Sequence, residues 1–260
     1  MTARAATAVL AVVLTATAAG GATSAPASAP ASAPAGGLLK ALPDIGGGSL
    51  GPAVQWIALI TVLSVAPAVL VLVTSFTRII VVLGLLRQAL ATQQMPPNQV
   101  LFGLALLMTL AVMAPVYQQV YGQAVEPYLA GRLSGREALA AGEGRVREFM
   151  IRQIEAGGNT ADVYLFLGSG AESKDLTWGD VPTVAMVPAF VVSELKVAFL
   201  MGFRIYLPFL IVDMLVATVL TSMGMLMLPP VLISLPFKLL LFVLADGWHL
   251  VVGTLMRSFG

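Results

Sequence analysis

The feature that most constrains this chain is the division of its apolar length by one charged block. Residues 122–185 carry more than half of all the charged residues, and the stretches on either side are almost purely apolar. Several of those stretches reach the roughly 18 apolar residues that suggest a membrane-spanning helix. Only 10% of the chain is charged, against about 25% in a soluble domain. We therefore predict an integral membrane protein whose central block lies in water.

Composition also excludes several kinds of site. The chain contains no cysteine, which excludes disulfides, thiolate metal sites and cysteine nucleophiles. Its one histidine, His249, excludes a histidine-rich metal site within a single chain. The net charge of +1 gives no indication of nucleic acid. We expect no metal, no cofactor and no nucleic-acid partner.

The first 50 residues differ in character from the rest. Arg4 precedes a short apolar core and a run of small residues, which predicts a signal peptide over residues 1–24. An uncleaved first membrane helix is the alternative. Residues 25–50 repeat alanine, serine and proline and then continue in glycine, which predicts a disordered linker. A cleaved signal would place this linker in the periplasm.

Residues 51–121 predict a first helical hairpin. An apolar span over 54–73 is interrupted by polar residues and Arg78, and its helical pattern resumes to about Leu90. As one helix this segment would exceed 35 residues, too long for a simple span of about 20 residues. Pro96 and Pro97 end it and open a second apolar segment over 100–120.

The polar block and the second apolar half complete the plan. Residues 136–156 predict an amphipathic helix, with an apolar stripe formed by Leu139, Val146, Met150 and Ile154. The type of the short apolar run 163–167 is left open, and Pro182 indicates a helix start. Residues 186–260 predict a second hairpin, from apolar segments over 187–220 and 231–259. The expected fold is an all-α membrane protein in which two long helical hairpins flank a small helical periplasmic domain over residues 122–185.

Charges inside apolar segments are costly and are functional candidates by default. Glu194 and Lys196 are two residues apart, so on a helix they point about 200° from each other and cannot satisfy one another. Glu194 needs a base on another segment, and Lys238 needs an acid. We propose a pair between Glu194 and Lys238, within or between subunits; the alternative is that both face water near an interface. Candidates with this character are Arg78, Glu194, Lys196, Arg204, Asp213, Lys238 and Asp246.

Three further readings follow from the remaining residues. Met225 and Met227 lie in a turn flanked by glycine and proline, where pliable methionines would form a seal around an axis or simply pack at a bend. Asp213, Asp246 or Glu194 would serve as the proton site of a secondary transporter, but the two halves show no obvious internal repeat. Asp246 and His249 share a helix face in the expected fold, yet no nucleophile motif surrounds them, so we predict no catalysis.

Ordered motifs along residues 54–259 resemble the FliP family of flagellar export proteins. The virulence-secretion SctR family shares much of this pattern, but the signal peptide and the length favour the flagellar branch. The first apolar half carries motifs at 75–80, 84–87, 96–100 and 104–106, and the polar block carries them at 147–150 and 152–153. The second half carries them at 188–190, 193–196, 209–213, 229–230, 235–238 and 246–248.

The resemblance implies a structural, pore-forming subunit of the flagellar type III export gate. Several copies, expected to be five, would assemble with FliQ and FliR at the flagellar basal body. Other export-apparatus proteins are further expected partners. Unfolded rod, hook and filament subunits would pass through this gate across the bacterial inner membrane. The helices of relatives are buried against neighbours in a cone that rises out of the membrane plane.

The resemblance also implies roles for particular residues. The methionine-rich turn of relatives forms a gasket around the closed pore, and here Leu226 stands between Met225 and Met227 in place of a methionine. The acid and base that match Glu194 and Lys238 pair between neighbouring subunits in relatives. Aromatic residues implicated in assembly match Phe149 and Phe166, although residues 157–159 look like an insertion before Phe166. Assembly or packing roles are expected for Arg78, Asp213 and Asp246.

Overall fold

The computed structural model describes residues 52–92, 95–167, 177–225 and 227–260. These residues form helices joined by short connections, without a strand among them, which confirms the all-α fold class. The predicted signal peptide (1–24) and linker (25–50) lie outside the described residues, as does Leu226.

The first apolar segment forms two helices. Helix α1 spans Pro52–Leu72 and helix α2 spans Phe76–Ala89. At the break between them, the Thr74 hydroxyl donates to the Val71 carbonyl and accepts from the Phe76 N–H. These side-chain bonds replace part of the helical hydrogen-bond ladder. The polar interruption in the sequence is therefore a helix boundary. Two shorter helices replace the single helix that would have been too long for one membrane span.

Helix α3 spans Asn98–Val120 and begins directly after Pro97, as the tandem prolines predict. It continues through a π-helical turn, Tyr121–Val125, into the short helix α4, Glu126–Leu129. The whole segment Asn98–Leu129 has 32 residues and is apolar enough to cross a membrane.

Helix α5 spans Gly135–Ala156 and confirms the predicted amphipathic helix. The Ser134 hydroxyl accepts from the Glu137 N–H while the Glu137 carboxylate accepts from the Ser134 N–H, which closes a capping box. This backbone hydrogen bond lowers the pKa of Glu137. The predicted stripe is wrong at Leu139, which is 67% exposed, because the buried part of α5 starts later in the helix.

Helix α6 spans Ala161–Leu167, so the short apolar run of undecided type is helical. Helix α7 spans Thr183–Ser222, a single helix of 40 residues. Helices α8 (Pro230–Leu244) and α9 (Gly247–Arg257) follow and meet at an angle of 64°. The last apolar segment, expected to run without a break over 231–259, is therefore bent at Asp246.

Helix α2 lies at the centre of the fold. One apolar core is formed by residues of α2, α3, α7, α8 and α9. A second apolar core is formed by residues of α3, α5, α6 and the start of α7. Gly202 of α7 faces Leu85 of α2 so closely that a Cβ there would lie 2.1 Å from a Leu85 methyl carbon. This close approach lets α2 pack directly against α7, and that packing positions the buried charges described next.

Candidate functional site

The charged side chains of the apolar helices form two buried clusters. In the first, Arg78 of α2 and Glu194 of α7 are 2% and 0% exposed. Arg78 Nη2 lies 2.5 Å from Glu194 Oε1, and Arg78 Nε lies 2.8 Å from Oε2. This is the two-pronged geometry in which an arginine–carboxylate pair is strongest.

The remaining N–H groups of Arg78 also have acceptors. Nη2 donates to Gln153 Oε1 of α5 at 3.0 Å, and Nη1 donates to the carbonyl and the hydroxyl of Ser258 at 2.8 and 3.1 Å. The ring of Phe259 lies 4.1 Å from the guanidinium carbon. All five donors of the guanidinium are therefore used, and one residue connects α2, α5, α7 and the segment after α9.

The second cluster lies at the other end of α2. Lys238 of α8 is 1% exposed, and its Nζ lies 2.6 Å from Asp213 Oδ2 and 3.1 Å from the Ala89 carbonyl oxygen. The Ser234 hydroxyl donates to the other Asp213 oxygen at 2.5 Å. Because Ala89 ends α2, the lysine sits at the negative end of that helix dipole, which favours its charge.

Glu194 and Lys238 do not pair with each other within this chain. Glu194 binds Arg78 and Lys238 binds Asp213. Since Arg78 and Ala89 are 11 residues apart on α2, the two clusters are separated by about 16 Å. The within-chain form of the proposed pair is wrong because the packing of α2 supplies each charge with a nearer partner. The form between subunits stays a prediction.

Polar contacts outside the clusters attach the central block to α7. Lys196 bonds Asp162 of α6. Arg147 of α5 donates to the carbonyls of Trp178 and Val181, just before α7 begins. Sequence reasoning named Lys196 as a charge inside an apolar segment but missed both of these partnerships, and it gave no signal for Gln153 or Ser258.

The aromatic candidates differ in their surroundings. Phe149 is buried and packs edge-to-face against Phe190 of α7, with ring centroids 6.1 Å apart. Phe166 is 40% exposed on α6. Phe149 thus serves packing within the chain, whereas Phe166 presents part of its ring outward.

The methionine-rich turn and Asp246 lie at exposed places. Met225 and Met227 are 39% and 96% exposed, next to Gly224, whose φ of +75° gives the chain a left-handed turn after α7. Asp246 has φ +48° at the bend before α9 and is exposed. It is the cap residue of α9 rather than part of a helix, so the expectation that it shares a helix face with His249 is wrong.

Two helices, Asn98–Leu129 and Thr183–Ser222, are long and apolar enough to cross a membrane, and the bent pair α8–α9 makes up to three. Within the described ranges, no three His, Asp or Glu side chains lie close enough to hold a metal ion.

Comparison with known proteins finds a matching family. The FliP family model matches residues 59–255. The flagellar biosynthetic protein FliP of Bacillus subtilis is 49% identical over 211 residues, covering 81% of this chain and 94% of its own length. The FliP proteins of Caulobacter vibrioides and Pectobacterium carotovorum are 47% and 49% identical, covering 82% and 85% of this chain and 79% and 83% of their own lengths. Because the family model matches residues 59–255 and these relatives share nearly half of the aligned residues, the chain is a member of the FliP family.

Proposed function

We propose that this protein is a membrane-embedded component of flagellar protein export and forms the pore of the export gate together with further copies of itself. Family membership over residues 59–255 carries the proposal, since the relatives are named flagellar biosynthetic proteins. In this proposal the central block lies in the periplasm, and unfolded rod, hook and filament subunits pass across the inner membrane. The chain performs no catalysis.

The length of α7 supports assembly into a larger body. A helix of 40 residues is about 60 Å long, whereas the hydrocarbon core of a bilayer is about 30 Å thick. Large apolar side chains are exposed at Val184 near its start and again from Phe199 to Met223, the residue just after its end. The stretch from Phe199 to Met223 is about 36 Å long, so a hydrocarbon core of about 30 Å leaves part of the exposed apolar surface of α7 uncovered. Neighbouring protein chains are the natural cover for the rest, namely other copies with FliQ and FliR.

The two buried charge clusters are consistent with a structural role for this chain. They fix the relative positions of α2, α7 and α8 without leaving an unpaired charge in the core. Two of the three acids that a proton-coupled transporter would use, Glu194 and Asp213, are engaged in these ion pairs. No observation favours that alternative function.

The methionine-rich turn is proposed as the pore gasket. Met225, Leu226 and Met227 would be brought together from several copies around the axis of the gate. The exposure of Met227 in the single chain leaves it free to contact neighbours. Flexible thioether side chains can adapt to an irregular opening and close it without a fixed shape.

Co-purification tests the proposal. The tagged chain, expressed with FliQ and FliR and extracted in mild detergent, is expected to elute as one large complex that contains several copies. Phe203→Glu, on the exposed apolar side of α7, is expected to abolish that complex. Leu139→Glu makes the same kind of change on the exposed part of α5 and is the matched control. A wild-type monomer that ignores both partners would refute the assignment.

A further inference from the structure

Two opposite charges in the apolar second half have no partner within the described chain. Of the acids on α7, α8 and the bend before α9, Glu194 binds Arg78 and Asp213 binds Lys238. Asp246 makes no ion pair or side-chain hydrogen bond among the described residues, and neither does Arg204. Both side chains are exposed.

The surroundings of Arg204 make a missing partner costly. It lies between exposed Phe203 and Leu207 near the middle of α7. The nearer end of the helix, Ser222, is about 27 Å away at 1.5 Å per residue, so the side chain cannot reach past that end. A cation in such apolar surroundings needs an anion from elsewhere.

Asp246 has an unusual backbone conformation, and its carboxylate makes no bond among the described residues. It has φ +48° and ψ +52°, a left-handed backbone that aspartate adopts more readily than most non-glycine residues. An aspartate at a helix cap usually accepts from the backbone N–H groups of the first turn. Here the side chain makes no capping bond. The carboxylate without a bond among the described residues is available to a partner from another chain.

The two residues lie at the same level along the molecule. Asp213 bonds Ser234 and Lys238, and the rings of Phe209 and Phe242 are 6.4 Å apart. These contacts show that α8 runs back along α7. About one helical turn beyond the Phe209–Phe242 contact, α7 reaches Arg204. At about the same level, the connection after α8 reaches Asp246.

We propose that Arg204 of one copy forms an ion pair with Asp246 of the neighbouring copy. A rotation about an axis parallel to α7 keeps each residue at its level, so the cation of one copy meets the anion of the next. Such a contact uses a different surface on each partner, and repeated contacts of this kind close a ring. The inference rests on the proposed multi-copy gate and assigns one contact that holds the copies in order.

Cysteine cross-linking tests the contact directly, because the chain has no cysteine of its own. Arg204→Cys and Asp246→Cys, introduced in separate copies with different tags and co-expressed with FliQ and FliR, are expected to give a disulfide-linked heterodimer on mild oxidation. A single copy carrying both changes is expected to give a ladder of linked multimers. A ladder that is absent while an intrachain link forms would overturn the proposal.

The matched control is Val184→Cys, which is also exposed on α7 but lies about 30 Å from Arg204 along the helix. Co-expressed with Arg204→Cys, it is expected to give no heterodimer. Linking at equal yield would show random collision and refute the specific contact.

Charge exchange gives a second, independent measurement. Arg204→Glu or Asp246→Lys alone is expected to reduce the yield of the large complex by roughly tenfold or more, since each leaves like charges facing each other. Co-expressing the two single variants is expected to restore the complex in part. Each altered residue meets its opposite wherever the two variants are neighbours, and a ring of five copies leaves at least one contact between like variants. A pair within one chain would stay mismatched in both variants.

The outcomes separate this inference from the proposed function. A normal wild-type complex with no Arg204–Asp246 link and no loss in the single variants would overturn the contact and leave the gate standing. A wild-type chain that forms no complex would overturn both.

Discussion

Removing the charge of Glu194 tests the role of the first buried cluster. Glu194→Gln keeps the size of the side chain but replaces an anion that accepts two bonds from Arg78. The guanidinium then stays buried with only neutral acceptors, namely the one amide oxygen of the new side chain, Gln153 and Ser258. Breaking one partner of a buried ion pair costs about 3–5 kcal/mol.

That loss is measurable by thermal unfolding of the purified chain in detergent. For a chain of this size about 1 kcal/mol shifts the midpoint by 2–4 °C, so we expect a drop of roughly 10 °C. Glu148→Gln is the control, because the ion pairs of Glu148 with Arg145 and Arg152 are exposed. Exposed pairs contribute about 0–1 kcal/mol. Equal shifts for the two variants would refute the argument that burial makes the Arg78 cluster strong.

Charge exchange decides which partner of Glu194 matters. If the pair within the chain dominates, Arg78→Glu combined with Glu194→Arg recovers part of the midpoint that each single change loses. Glu194→Lys combined with Lys238→Glu then recovers nothing, since the new lysine faces Arg78. Recovery of assembly by the second combination alone would instead support the pair between subunits.

Two further predictions concern helix packing and the proposed gasket. Gly202→Ala places a methyl group 2.1 Å from a leucine methyl carbon of α2, so its free energy of unfolding is expected to fall by about 1–3 kcal/mol. Gly253→Ala, where the added carbon meets open space, is the control and is expected to change that free energy little. A larger loss for Gly253→Ala than for Gly202→Ala would contradict the packing. Truncating Met225 and Met227 together to alanine is expected to raise ion leakage through the assembled gate, measured as dye or ion flux in vesicles. Met214→Ala, an exposed methionine within α7, is the control, and unchanged flux in the double variant would contradict the gasket.

Local chemistry explains why much of the helical plan was readable in advance. Pro97, Pro182 and Pro229 each stand immediately before a helix, since proline fixes φ and cannot continue a preceding helix. The capping box and the apolar periodicity of residues 136–156 likewise depend on neighbours in sequence. The predicted burial of Leu139 was wrong because periodicity shows which face of a helix is apolar, but it does not show how far a partner helix extends over that face.

The amino-acid sequence by itself determined that the chain is an apolar, helical membrane protein with a charged central block, because composition, proline positions and periodicity are local properties. It also showed that Glu194 and Lys238 each need an opposite charge, since an unpaired charge in apolar surroundings is costly anywhere. Only the tertiary structure decided that Arg78 and Asp213 supply those charges and that Arg204 and Asp246 form no ion pair among the described residues. The choice of partner depends on which helices pack together and in which register, and residues more than 100 positions apart, such as Arg78 and Glu194, become neighbours only through that packing.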